Sequence, residues 1–499
     1  MSQRPSLAVI GAGAAAVCLL NELTRRDLPT ASLTVFDPSS LLWRGRAYQP
    51  DADCARTNAV PGGMSVRHEN PRDFLQWLDV RDLFTEERDP VHGGLRYPPR
   101  PVYGEYLQAC AFDALDTLMR RGWDVRVHRE QVTHAASEDD GILLRTSTAR
   151  TELFDQVVLA VGGDRPQDAY KLSGRRDFTH DPYPLRKTLA PLSATAHVGI
   201  LGCGLTAIDV VVALREQGHR GPISMVSRTG TLPGVRPYPV EGLPQLPSGW
   251  NDLPDSGDEG LRWSRAAAWV GDLLTAAGTD PADLAREFRT AASEPPVRRL
   301  QRHLEGAAEP LSALRLLQGV APYLGPRLWS RLREDDRAQL LRAHQRTIMS
   351  LCCPMSPRSA NTLLGLAAQG GLRLHRGLAG VTPGTRGGHA LDTADGTRVT
   401  VDHLVNACGR APDCVPRAAH PLVNSLISGG LAVPHPHGGL RADPRTDQLL
   451  TPHGPDPRLY ALGDITLGTF LFTFGIPALV ARAHELAAAL EHQLAMSPA

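Results

Sequence analysis

"VIGAGAAAVCLLNEL", Val9–Leu23, sets Gly11, Gly13 and Ala16 between a short apolar run and a segment with helical apolar spacing. "SLAVIGAG" reads as a strand ending on glycine, "AAAVCLLNELTRR" as a helix and "SLTVFD" as the next strand. Between a strand and a helix, the three small residues mark a cradle for a dinucleotide. The first glycine permits the tight turn, the second lets the backbone approach a pyrophosphate, and Ala16 keeps helix and strand close. The first helical turn presents N–H groups and a positive dipole end to the phosphates. Asp37 ends the second strand, twenty-six residues after Gly11, where a carboxylate can accept hydrogen bonds from a ribose diol. The plainer reading of Asp37 is a cap on the "PSS" turn that follows it.

A second copy of the pattern begins at His197. "HVGILGCGLTAIDVVVALREQG" carries Gly202, Gly204 and Ala207, and "ISMVSR" supplies the next strand, ending on Ser227 and Arg228. The offset from Gly202 to Arg228 is again twenty-six residues, with a base in place of the acid. Arginine pairs bidentately with a 2'-phosphate, so this site favours NADP where the first favours an unphosphorylated ribose. The plainer reading is a sheet-edge salt bridge beside a vestigial cradle. Two cradles of opposite preference suit a flavin dinucleotide held permanently and a nicotinamide donor that visits.

Composition narrows the classes. The 499 residues allow two or three domains, and 42% hydrophobic content with zero formal net charge fits a globular protein. That balance gives no electrostatic case for nucleic acid or an acidic membrane surface. Lys171 and Lys187 are the only lysines, which restricts Schiff-base chemistry. So few residues precede the first strand that no signal peptide is expected, and no apolar run reaches membrane-spanning length. The eight cysteines form no CxxC or zinc-like spacing. A reduced, cytoplasmic protein without metal is the expectation, and lack of a thiol pair argues against a disulfide reductase.

The remaining segments suggest how the cradles are covered. "LLWRGRAYQ" (41–49) and "DCARTNAVPGGMSV" (53–66) read as loops laid over a ligand, and "YPPRPVYGEYLQACAFDAL" (97–115) as a proline-led helix. Arg100 stands at that helix entry, facing phosphate or substrate, or, on the plainer reading, solvent. "VVLAVGG" and "HLVNACGR" each deliver a strand to a glycine turn. Between Asn251 and Met349 the composition turns helical, with Trp263 and Trp269 six residues apart and so not on one face. Near the end, "RLYALGD" leads a strand into Gly463-Asp464, from which Asp464 could meet a flavin ribityl chain. The expected architecture is α/β, with two Rossmann-like, three-layer (ββα/α) dinucleotide-binding domains and a helical insert. Residues 1–190 and 411–499 would form the FAD-binding domain, 191–250 and 350–410 the NAD(P)-binding domain, and 251–349 the insert, a lid over substrate.

Taken together, "VIGAGAAA", "TNAVPGGMSV", "YPPRPVYGEYL", "VVLAVGGDRP", "VGILGCGLTAIDVVVALREQGHRGPISMVSRTGTLP" and "YALGD" resemble a bacterial family of FAD/NAD(P)-binding flavoproteins. Its fold is related to that of the N-hydroxylating flavin monooxygenases. The resemblance implies that Gly11, Gly13, Ala16, Asp37 and Asp464 hold FAD. It gives Gly202, Gly204, Ala207, Ser227 and Arg228 to NADPH. Alanine replaces the last glycine of each fingerprint, and Val161 stands where the family's "ATG" loop has threonine.

With both cofactors bound, the expected reaction is NADPH-dependent oxygenation of a small amine or other nucleophile through a flavin C4a-hydroperoxide. Molecular oxygen and a small molecule, free or presented on a carrier protein, are the expected partners. Donor candidates are Asn58, Ser65, His68 and Tyr103; His180 and His344 are substrate-side candidates. Each has a plainer reading as a packing, capping or surface residue. An FAD-dependent amine or amino-acid oxidase, or a non-catalytic flavin-binding partner in a biosynthetic assembly, are the rival readings.

Overall fold

In the computed structural model, which describes residues 4–83, 97–239, 250–257, 259–409, 415–473 and 475–496, the strand Ser6–Ile10 lies inside a six-stranded sheet. Its alternating side chains enter two different cores. Leu7 and Val9 pack beneath the helices, while Ala8 and Ile10 face a layer containing Ile142, Leu144 and Phe154. Period-two alternation with both faces apolar is what a strand covered on two sides requires.

Across this sheet the strands run Gln448–Thr451, Gly454–Ala461, Gln156–Leu159, Ser6–Ile10, Ser32–Phe36 and Asp124–His128. All neighbours are parallel except the first pair. The helices Ala14–Leu23, Arg100–Arg120 and Ile476–Met496 cover one face. An antiparallel sheet of Val132–Glu138, Gly141–Thr146 and Thr151–Phe154 covers the other. This is the expected three-layer arrangement, and it joins the two ends of the chain in one sheet.

The second parallel sheet has the order Leu372–Arg376, Ile223–Ser227, Val198–Leu201, His403–Asn406, Phe178–Thr179. Its edge strand Phe178–Thr179 precedes residue 191. The helix Leu205–Glu216 lies against it, with Ala207, Val210, Val211 and Leu214 buried. A further antiparallel sheet, Leu378–Pro383, His389–Thr393 and Arg398–Val401, shares a core with it through Leu391, Val399 and Leu404.

Between the two halves of the second sheet come the insert helices Trp263–Ala276, Pro281–Thr290, Pro296–Gly306, Ala313–Arg331 and Glu334–Cys352. A buried carboxylate organises them. Glu287 accepts hydrogen bonds from Arg299 at 2.9 Å and Arg302 at 2.5 Å, and lies 3.0 Å from His303 Nε2. Burial alone would raise its pKa, but His303, Arg299 and Arg302 outweigh that and hold the carboxyl far below its usual range. Arg299 also donates to Leu232 O at 2.9 Å, tying the insert to the second sheet. Among the described residues no helix is long and apolar enough to cross a membrane, and no His, Cys, Asp and Glu group could hold a metal.

Candidate cofactor and active site

The two glycine turns solve the same steric problem. Gly11 has φ +108°, and an added Cβ would lie 2.2 Å from Ala160 O on the neighbouring strand's exit. Gly202 has φ +113°, and its Cβ would lie 2.6 Å from Ala407 O. Both positions therefore need glycine for the fold itself. Gly13 and Gly204 differ from them. A Cβ on Gly13 would meet only Gly45 Cα at ordinary contact distance, 3.5 Å, and one on Gly204 would meet nothing within 4 Å.

Each of these second glycines opens a helix, Ala14–Leu23 or Leu205–Glu216, with no side chain capping it. A protein-only structure gives neither position a steric reason to lack a side chain. Close approach of a phosphate to an uncapped helix N-terminus supplies one. The residues present fit two dinucleotide phosphates. Ala16 and Ala207 are fully buried, as close helix–strand packing requires.

The surroundings of the first cradle include groups both expected and new. Asp37 accepts from Ala12 N at 2.7 Å and Ser39 N at 2.8 Å, so its carboxylate touches the glycine turn as well as capping its own loop. The loop over residues 41–49 does lie on the cradle: Trp43 N donates to Ala12 O at 2.7 Å and Gly45 faces Gly13. Gly463, with φ +86°, brings the C-terminal turn against Ala15, and Asp464 Oδ1 accepts from Thr473 Oγ at 3.0 Å.

At the second cradle Ser227 Oγ accepts from Cys203 Sγ at 3.2 Å and from Gly230 N at 2.9 Å, which holds the turn. Arg228 is exposed, and its guanidinium has no ion pair among the described residues. A second arginine, Arg346, lies near this turn. Burial pushes the Cys408 thiol up, and Arg346 and Arg228 pull against that shift from nearby. Arg346 also acts on Cys203. It comes from the insert helix Glu334–Cys352, so no local motif announces it.

Two of the donor candidates, Tyr103 and His68, lie away from the polar cleft between the cradles. Tyr103 is fully buried among Tyr48, Phe74 and Tyr106, and its hydroxyl donates to Met64 O at 2.8 Å. Burial drives its pKa well above the ordinary value, and its hydroxyl is engaged within the core. Tyr103→Phe should cost about 1–2 kcal/mol in denaturant melts, because Met64 O loses its partner, and leave the rate of flavin reduction as it was. A fall in that rate with unchanged stability would give Tyr103 a role in flavin chemistry.

His68 is exposed and stacks on His484 at 4.2 Å, and His484 in turn contacts Glu22 at 2.8 Å. Glu22 sits at the far end of the helix whose start forms the cradle. That places His68 behind the domain. His180 bonds Ser173 Oγ at 3.0 Å, and His344 packs edge-on to Phe288. Ser65 Oγ is spent on its own loop, accepting from Arg67 N at 3.0 Å.

Of the four donor candidates, Asn58 lies at the junction of the two domains. It lines a polar cleft with Thr57, Asp209, Ser356 and Arg358, and its carbonyl accepts from Arg236 Nε. Arg236 has no carboxylate partner among the described residues, and burial lowers its pKa. Arg100, expected to face phosphate, substrate or solvent, lines the same cleft with its guanidinium engaged by protein groups. It pairs with Asp209 at 2.7 Å and donates to Tyr183 Oη at 3.0 Å, joining a first-domain helix to the helix of the second cradle.

Comparison with known proteins agrees with this geometry. A family model described as FAD-NAD(P)-binding matches residues 8–164. No curated protein matches the chain. An ornithine hydroxylase from Pseudomonas aeruginosa superposes with a TM-score of 0.58 at 15% identity, over 98% of this chain and 99% of its own. The ornithine N-hydroxylase of Kutzneria sp. 744, described with reduced FAD, NADP+ and L-ornithine, gives 0.56 at 14% identity over 98% and 99%. An L-lysine 6-monooxygenase from Pseudomonas syringae gives 0.53 at 14% over the same shares. The family match thus lies over the first cradle, and the whole chain shares the fold of these hydroxylases.

Proposed function

We propose that the protein is an FAD- and NADPH-dependent monooxygenase that hydroxylates the nitrogen of an amine. The balanced reaction takes amine, O2, NADPH and a proton to hydroxylamine, water and NADP+. The observation that carries this reading is the pair of open glycines, Gly13 and Gly204. Each begins an uncapped helix, with an acid at the end of the next strand in one copy and a base in the other. Bound FAD supplies the redox and oxygen chemistry.

The chain's own groups bind and position. Gly11, Gly13, Ala16, Asp37 and Asp464 belong to the FAD side. Gly202, Gly204, Ala207, Ser227 and Arg228 belong to NADPH, with Arg346 facing the same cradle. Trp43, 2% exposed beside the first turn, closes that side of the site against water. Cysteine chemistry is disfavoured on physical grounds. Burial raises the thiols of Cys18, Cys54, Cys110, Cys203, Cys352 and Cys408, opposite to what a reactive thiolate needs. The likeness to ornithine and lysine hydroxylases supports an amine as the acceptor.

Arg228→Ala should weaken NADPH about tenfold, near 1.4 kcal/mol, and leave NADH nearly unchanged, because only NADPH carries the 2'-phosphate. Steady-state kinetics with both nucleotides reads this directly. Equal losses for both would remove Arg228 from 2'-phosphate recognition. Oxygenation itself is tested by mixing the NADPH-reduced protein with O2 and an amine and assaying hydroxylamine. Flavin reduction by the amine, with none by NADPH, would make the protein an oxidase instead.

A further inference from the structure

The insert helices do not close on one another. Between them and the segment after Phe470 lies a cavity walled by hydrocarbon and indole, with Trp263, Phe288, Val320 and Leu324 from the insert and Leu471 and Phe472 from the C-terminal segment. Among the described residues its lining includes no charged side chain. The Trp329 indole N–H, also at this wall, is already donated to Gly468 O at 3.1 Å.

The cavity volume is about 170 Å³. Apolar cavities near this size, ~150 Å³, stay dry and take guests such as benzene. An unfilled apolar void destabilises in proportion to its volume, so helices that only padded the sheets would gain by closing it.

Its position links it to the cofactor side. Phe472 precedes Thr473, whose hydroxyl bonds Asp464. The Phe472 ring also presses on the insert, since a Cβ on Gly325 would lie 2.5 Å from it. One short loop is thus both cavity wall and part of the turn assigned to FAD.

We propose that this cavity holds the apolar body of the substrate, which is an alkyl- or arylamine whose nitrogen is directed toward the 464–473 loop. The proposal rests on the oxygenation reading above and names its substrate class. A short amino acid carrying a carboxylate would find no partner on this wall, and burying that charge unpaired is costly.

The test uses the full-length, FAD-loaded protein with n-butylamine, n-hexylamine, n-octylamine and L-ornithine. Calorimetry and the fluorescence of Trp250, Trp263 and Trp329, which all line the cavity, read binding without any turnover. Dissociation constants should fall about three- to fourfold per added methylene, and L-ornithine should leave the fluorescence unchanged. Val320→Trp, which fills the space, should raise the octylamine constant at least tenfold in protein that keeps its melting transition. Ala277→Phe fills it from another helix should the first variant not fold.

Affinity independent of chain length, or octylamine binding undiminished in the filled variants, overturns the proposal. Chain-length-dependent binding without NADPH-coupled oxygen uptake would keep the cavity assignment and overturn the monooxygenase reading. NADPH-driven flavin reduction without chain-length dependence would do the reverse.

Discussion

Replacing Gly13 by alanine should yield a folded protein that has lost FAD. The new methyl meets only Gly45 Cα at 3.5 Å, and the backbone there, φ −101° and ψ −167°, suits any residue. Thermal stability of the cofactor-free protein should therefore change by less than about 1 kcal/mol. The same methyl stands where the pyrophosphate must approach the helix start. Losing charge-assisted hydrogen bonds there costs about 3 kcal/mol, or roughly a hundredfold in FAD affinity.

Gly11→Ala makes the contrast. Its Cβ would collide with Ala160 O and its φ is left-handed, so that variant should lose stability whether or not FAD is present. Gly204→Ala should spare FAD and weaken NADPH. Titration of the visible spectrum with FAD separates the three. A Gly13→Ala protein that takes up FAD as tightly as the unaltered chain would mean that no phosphate lies against that turn.

Arg100→Leu should be the most destabilising single change at the junction of the two cradles, by about 3–5 kcal/mol. The pair it breaks is largely buried, with side chains 15% and 12% exposed, and Asp209 would be left with only Tyr183 as partner. Burial already raises the Asp209 carboxyl above its ordinary value, with Arg100 and Tyr183 opposing the shift. A group raised in this way favours the fold most at pH below its unfolded value, and that contribution fades as pH rises through the folded one. Removing Arg100 takes away the main restraint and moves the folded value higher. The Arg100→Leu penalty should therefore grow from pH 5 toward pH 8. Arg100→Leu combined with Asp209→Leu should recover much of the loss, because no buried charge then lacks a partner. Urea melts at several pH values measure all of this, and a pH-independent penalty below 1 kcal/mol would show the pair to be of no structural weight.

Both cradles were legible in the sequence because their constraint is local. A turn that passes under a neighbouring strand needs glycine, and Gly11 and Gly202 satisfy it at the same offset from Asp37 and Arg228. Side-chain direction was less accessible. Tyr103 had a readable signal, since with Tyr106, Leu107, Cys110 and Ala114 it forms one buried helical stripe. Its phenol suggested chemistry that the stripe argues against. Nothing local places His68 behind the domain, because its neighbour His484 is over four hundred residues away.

Arg346, Arg236 and the Arg100–Asp209 pair act across distant segments, so their roles emerge only from tertiary packing. The apolar cavity is of the same kind. Trp263, Phe288, Val320 and Phe472 meet from three helices and a loop. Periodicity in each helix marks an apolar face but not whether that face finds a partner or is left open.

The most direct test of the two-cradle account is an anaerobic titration of the FAD-loaded protein with NADPH, followed in the visible spectrum. One equivalent should bleach the flavin band, and NADPH should do so faster than NADH. A flavin band that stays oxidised under excess NADPH, in protein that has bound FAD, would contradict it.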